Sequence, residues 1–182
     1  MRGIRTSFWA LAVVGVFLPV SSQASEWMGY LHFENGVKLW SKGQYEAAIP
    51  EFGYCVKHAR DYPGCAKVED QSNYYLGTIF QRKKNYPRAI GHYERAIQVN
   101  PRYAAPRLRL AQIMSQSGDH AQAAGHIERA VEINPKSASA HAALSRVYKD
   151  MKEYVLAWKH AREAEKNGGD VKELLASLRR VS

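Results

Sequence analysis

The chain has 182 residues, 26 Lys and Arg against 17 Asp and Glu, and a formal net charge of +9; 46% of its residues are hydrophobic. That length suits one ordinary domain, and the basic surface favours anionic partners. The sequence holds no G-x-S-x-G, H-E-x-x-H, P-loop or G-x-G-x-x-G pattern, so no catalytic centre is expected.

At the N-terminus, Arg2 and Arg5 precede an apolar run, Phe8 to Val20, interrupted only by Gly15 and Pro19. Ser22-Gln23-Ala24 follows, with small residues where a signal peptidase reads them. This three-part layout predicts a signal peptide over residues 1–24, cut after Ala24. Retention as an anchor is the alternative, although the run falls short of the about 18–20 residues that span a bilayer. No Cys lies near the cut, so a lipid anchor is not indicated. An exported chain without one is expected in the periplasm of a bacterial envelope. Cleavage leaves 24 basic and 17 acidic residues, a net charge of +7. That surplus favours acidic peptides, phospholipid or lipopolysaccharide headgroups, although the charges are dispersed and mostly interleaved with Glu; export argues against nucleic acid.

Residues 25–182 read as one repeat domain. Glu26 to Tyr30 is taken as a short lead-in containing Trp27. A first unit follows, within 29–69, bearing Gly36, Leu39, Gly43, Tyr45, Ala48 and Phe52. These align with the second unit at an offset of 41 residues. Pro50 falls inside its second helix and is expected to kink it. Seven extra residues lie around Pro63 to Glu69. Cys55 and Cys65 are spaced as neither a CxxC nor a CxxCH motif. In an oxidising compartment they predict a structural disulfide stapling the insertion to the helix it leaves, worth about 3 kcal/mol in the chain-entropy model.

The second, third and fourth units, about 70–103, 104–137 and 138–169, are in strict 34-residue register. AIGHYERAIQVNP (Ala89 to Pro101) returns as AAGHIERAVEINP (Ala123 to Pro135). Leu76, Leu110 and Leu144 recur, followed by the small residues Gly77, Ala111 and Ser145, then by Phe80, Met114 and Tyr148. Ala89, Ala123 and Ala157 recur, as do Ala96, Ala130 and Ala164. A fixed period of this length is the mark of stacked supersecondary units. Each unit reads as a helical hairpin, with a turn before Tyr86, His120 and Tyr154. Asn-Pro stops the second and third units, and Gly168-Gly169 the fourth. A capping helix is predicted within about 170–181, started by Asp170 and carrying Val171, Leu174, Leu175 and Leu178.

His92, His126 and His160 also recur at 34-residue intervals. Equivalent positions in successive hairpins lie about 10 Å or more apart, too far to share one ion at about 2.1 Å. No metal and no cofactor are expected. Protonation of this ladder below about pH 6.5 could instead loosen a partner.

The pattern resembles the tetratricopeptide repeat (TPR) family, which the second unit matches at Leu76, Gly77, Phe80, Tyr86, Ala89, Tyr93, Ala96 and Pro101. The resemblance implies an all-α solenoid of about four hairpins plus the capping helix. It implies a non-catalytic scaffold or adaptor that takes a peptide or helix of a protein partner in a concave groove. The groove-facing positions it implies are Phe33, Val37 and Trp40, then Gln71, Tyr74, Thr78, Gln81 and Arg82. Leu108, Arg109, Gln112 and Ser115 follow, then Ser139, Ala142, Arg146 and Lys149. The family's carboxylate clamp of Lys, Asn, Asn, Lys and Arg is absent: those positions hold Phe33, Val37, Tyr75, Ala105 and Arg109, and only Arg109 agrees. Electrostatic binding to polyanions or an anionic membrane surface is the competing expectation, and self-association through the ends of the stack is a further one.

Overall fold

A computed structural model describes residues 22–180. Residues 1–21 of the expected signal peptide, and Val181 of the expected capping helix, lie outside the described residues. Those described form ten helices. The first hairpin is α1 (Ser22–Ser41) and α2 (Tyr45–Lys57), followed by the short α3 (Pro63–Lys67). Three further hairpins pair α4 (Glu69–Arg82) with α5 (Tyr86–Val99), α6 (Ala104–Gln116) with α7 (His120–Ile133), and α8 (Ala138–Asp150) with α9 (Tyr154–Lys166). The last helix is α10 (Lys172–Arg179).

The repeated alanines explain how each hairpin closes. Ala89, Ala96, Ala123, Ala130, Ala157 and Ala164 are all fully buried. A small side chain at these points lets neighbouring backbones approach while the larger residues interlock around them. Opposite this seam the residue sizes are matched in inverse order. Gly36 faces Phe52 and Gly77 faces Tyr93, so closely that a Cβ would stand 2.7 Å and 2.5 Å from the respective rings. The equivalent positions are Ala111 with Ile127, packed in one cluster, and Ser145 with Ala161. As the residue on the first helix grows, its counterpart on the second shrinks. Ser145 donates from its hydroxyl to the Ala157 carbonyl at 2.8 Å, which satisfies a buried polar group.

The turns obey the same register. Gly43, Lys84, Gly118 and Lys152 occupy equivalent positions, all with positive φ between 58° and 87°. Asn85 and Asp119 then cap α5 and α7 through the backbone N–H groups of Arg88 and Gln122.

Two expectations change, and the insertion gains a definite form. Glu26 to Tyr30 is helical, forming part of α1. The insertion is also helical: α3 crosses α1 at Gly29 and Gly64, where a Cβ on Gly64 would lie 1.9 Å from the Glu26 carbonyl oxygen. The expected Cys55–Cys65 bond is not formed. Both are free thiols, fully buried, and Cys55 donates its proton to the Gly29 carbonyl at 3.4 Å. They join the insertion to the first hairpin by packing with Val68, Phe33, Tyr54 and Tyr62.

Pro50 lies within a continuous α2. At the other end Val171, not Asp170, is the N-cap of α10, with Asp170 Oδ1 3.5 Å from the Lys172 amide. Val171, Leu174 and Leu178 are buried against α9 residues. They close the core as a solvating cap should.

Candidate functional site: a basic groove

The first helices of the second, third and fourth hairpins line a cavity of about 530 Å³. Tyr74 of α4 stands at one side, Leu108, Arg109, Gln112 and Ser115 of α6 along the middle, and Ser139 and Arg146 of α8 at the other. Ala105, Ala111, Ala143, Ile127 and Val147 supply apolar floor, and Gln116 completes the lining. Two guanidinium groups face this cavity and no carboxylate lines it.

A hydrogen-bonded row holds the wall in place. Tyr93 donates to Gln81 Oε1 at 2.7 Å, and Gln81 Nε2 donates to Gln112 Oε1 at 3.4 Å. Arg109 Nη1 donates to the same Gln112 oxygen at 3.3 Å. Gln112 therefore ties the second and third hairpins together at the cavity's edge. Tyr74 is packed among Tyr75, Tyr93 and Tyr103, with ring centroids 5.4–6.1 Å apart. The neighbouring Tyr74 hydroxyl favours the charged form of Arg109 against the opposing effect of burial. Burial pushes the Tyr93 and Tyr103 phenols upward, so both stay neutral donors at ordinary pH.

Arg146 also borders a second cavity of about 610 Å³ between α8 and the cap, with Lys149, Lys172, Asp170 and Glu173. Lys149 donates to Ser177 Oγ at 3.3 Å. Its ammonium belongs to this more mixed site and not to the first cavity.

Other expected groove residues lie elsewhere. Phe33 and Val37 are half-buried against the core, and Phe33 meets Phe52 and Tyr75 at centroid distances of 6.0 and 5.9 Å. Trp40 lies against Tyr75 at 5.2 Å and donates from Nε1 to Thr78 Oγ1 at 3.2 Å. Thr78 is itself buried, and its hydroxyl donates to the Tyr75 carbonyl. The first unit thus spends its aromatic face on internal packing. Ala142 is buried beside Ala157 and Ala161; its neighbour Ala143 lines the cavity. Gln71 is exposed outside the cavity lining, and Arg82 lies over the Tyr45 ring at 5.4 Å.

The sequence missed the floor. Ile127, packed with Ala111 in the seam of the third hairpin, also lines the cavity. Among the described residues no group of three or more His, Cys, Asp or Glu side chains could hold a metal ion.

Two family models, each described as tetratricopeptide repeat, match residues 34–104 and 81–147. No curated protein sequence matches the chain. Among solved structures, MamA residues 41 to the end from Desulfovibrio magneticus aligns with a TM-score of 0.64 at 16% identity, covering 78% of this chain and 76% of that one. The first TPR domain of Spaghetti, bound to the HSP90 peptide SRMEEVD, aligns at 0.58 and 16% identity over 62% of this chain and 89% of that one. The Sgt2 TPR domain from Aspergillus fumigatus aligns at 0.57 and 29% identity over 62% and 78%.

Proposed function

The chain belongs to the tetratricopeptide repeat family, and from that premise we propose that it is a non-catalytic scaffold of the bacterial envelope whose groove grips an acidic, extended segment of a protein partner. One observation carries the reading: Arg109 and Arg146 face a single cavity with an apolar floor and no carboxylate in its lining. A desolvated carboxylate between two guanidinium groups gains charge-assisted hydrogen bonds, while Leu108, Ile127 and Val147 accept a neighbouring apolar side chain. Tyr74 offers a rigid aromatic surface that loses little entropy on binding.

The Spaghetti domain supports the class of ligand, since its bound peptide SRMEEVD carries three acidic side chains. The clamp found in some family members is not available to this chain. Recognition would rest on the Arg109–Arg146 pair. Export to the periplasm rests on the residue 1–24 pattern.

The test is capture of partners from envelope extract by the wild-type chain, Arg109→Glu, Arg146→Glu and Tyr74→Ala. The expected result is a partner retained by wild type and lost from all three variants at constant ionic strength. A partner released by salt but indifferent to these substitutions would assign the protein to polyanion or anionic-surface binding instead. Identical capture by all four chains at every salt concentration would remove the groove from the account.

A further inference from the structure

The N-terminal turns of α1 show an apolar face that no other described element covers. Trp27 is 72% exposed, Met28 44%, Tyr30 38% and Leu31 43%. At 100° per residue these four side chains form one continuous stripe of α1. Further along the same outward surface, Glu34, Asn35, Lys38 and Ser41 are exposed and polar. The surface therefore changes from polar to aromatic and aliphatic as it approaches Ser22. Immediately upstream, the sequence continues with the apolar run Phe8 to Val20.

We propose that this face rests on an anionic lipid surface, with Trp27 and Leu31 at its centre and Tyr30 and Met28 at its edges entering the headgroup layer. Trp and Tyr are the residues that settle where water meets lipid, because each joins an apolar ring to one polar atom. The exposed aromatic and aliphatic side chains sit at the Ser22 end of α1 and the exposed polar ones toward Ser41, so the Ser22 end is the part of the helix suited to lipid. The neighbouring elements add charge of the right sign. Because His32 stacks on Tyr54 with centroids 3.9 Å apart, the end of α2 lies beside the start of α1. Exposed Lys57 and Arg60 are at that end, partly offset by Asp61 beside His58, while Lys67 of α3 is neutralised by Glu26.

Among the described residues no helix is long and apolar enough to cross a membrane, so α1 lies at the surface and does not itself span. Trp27 to Leu31 all follow the predicted cut after Ala24, and cleavage would leave the face intact. The inference is independent of the groove, whose lining residues are all on later helices.

The test uses the full chain with vesicles of phosphatidylethanolamine and phosphatidylglycerol whose acyl chains carry bromine near the headgroup end. In a Trp9→Phe background, the emission difference between Trp27 and Trp27→Phe isolates Trp27. Quenching of that component by brominated lipid, with slowed amide exchange over residues 26–32, is the expected result. Trp27→Glu combined with Leu31→Glu should abolish the slowed exchange while the helical circular dichroism is unchanged. Trp27 emission indifferent to brominated lipid overturns the proposal. Slowed exchange that rises with protein concentration in the absence of lipid also overturns it, because a second copy of the chain then covers the face.

Discussion

His141 and His160 point their Nδ1 atoms at each other across 3.0 Å, on stacked rings of the fourth hairpin. The other nitrogen of His141, Nε2, lies 3.0 Å from the Pro135 carbonyl oxygen. A carbonyl only accepts, so His141 must donate from Nε2; in the neutral ring its Nδ1 is then an acceptor. His160 must supply the shared proton from its own Nδ1. Similar 19-residue pairs recur as His32 with Glu51 and Asn73 with His92. The histidine ladder is thus half of a ladder of partners.

That arrangement predicts acid sensitivity. Burial lowers the pKa of His160, with His141 and Lys159 adding to the shift while Glu128 and Glu163 oppose it. Burial also lowers those of His92 and His126, aided by Arg88 and Arg107 respectively. All three therefore take up protons more readily in the unfolded chain, whose histidines titrate near 6.5. Stability should be complete above that pH and decline as the pH falls below it. Urea unfolding at pH 7.5 and 5.0 measures the decline. His141→Asn recreates the Asn73–His92 arrangement, and its loss between the two pH values should be smaller than that of wild type. An equal loss would clear the facing imidazoles of responsibility.

The second prediction concerns Lys84 and Lys152, which adopt φ of 58° and 63° where Gly43 and Gly118 stand in the other hairpins. A side chain in this left-handed region costs about 1–2 kcal/mol. Glycine relieves that strain but loses more unfolded-state freedom, about 0.5–1 kcal/mol. Lys84→Gly and Lys152→Gly should each raise stability by about 0.5–1 kcal/mol net, read as a higher urea midpoint at unchanged slope. A lowered midpoint would show that the lysines contribute more than their backbone strain costs.

Size matching across each hairpin gives a third prediction. A Cβ on Gly77 would fall 2.5 Å from the Tyr93 ring, which is fully buried and held by its bond to Gln81. Gly77→Ala should therefore destabilise by about 1–3 kcal/mol, despite alanine's better helix propensity. Adding Tyr93→Ile copies the Ala111–Ile127 pair of the next hairpin. The double variant should recover part of the loss, a coupling that a double-mutant cycle in urea detects. Additive losses would refute the matching.

These relationships divide into those the sequence shows and those it hides. Ala89, Ala123 and Ala157 were legible as a seam because identical residues recur at one period. Tyr74, Arg109, Gln112 and Arg146 were placed on the first helices by the same register. The size matching of Gly77 with Tyr93 was not legible, since its members change together and no single column repeats. Asn73 and His141 stayed hidden for the same reason. The first hairpin misled most: Phe33 and Trp40 occupy groove-facing columns, but Tyr75 and Phe52 draw their rings into the core. An insertion of seven residues carries no period, so nothing marked α3 as a helix pressed on Gly29.

The junction of α1, α2 and α3 yields the last prediction. Cys55 and Cys65 are fully buried, and burial, reinforced by the neighbouring Cys65 thiol, pushes the Cys55 pKa up to about 12. Burial also raises that of Cys65. Thiolate is the reacting species, so both groups should be inert twice over, by concealment and by protonation. In reduced protein, a thiol-specific chromogenic reagent should find two groups in denaturant and almost none quickly under native conditions. Gly64→Ala should remove both causes together, since burial underlies each. Its Cβ would collide with the Glu26 carbonyl, a backbone atom that cannot turn aside, so α3 must lift from α1. Native labelling should then accelerate at Cys65 first, since that residue rides on α3. Rapid labelling of both thiols in the unaltered chain would mean that the junction opens readily in solution.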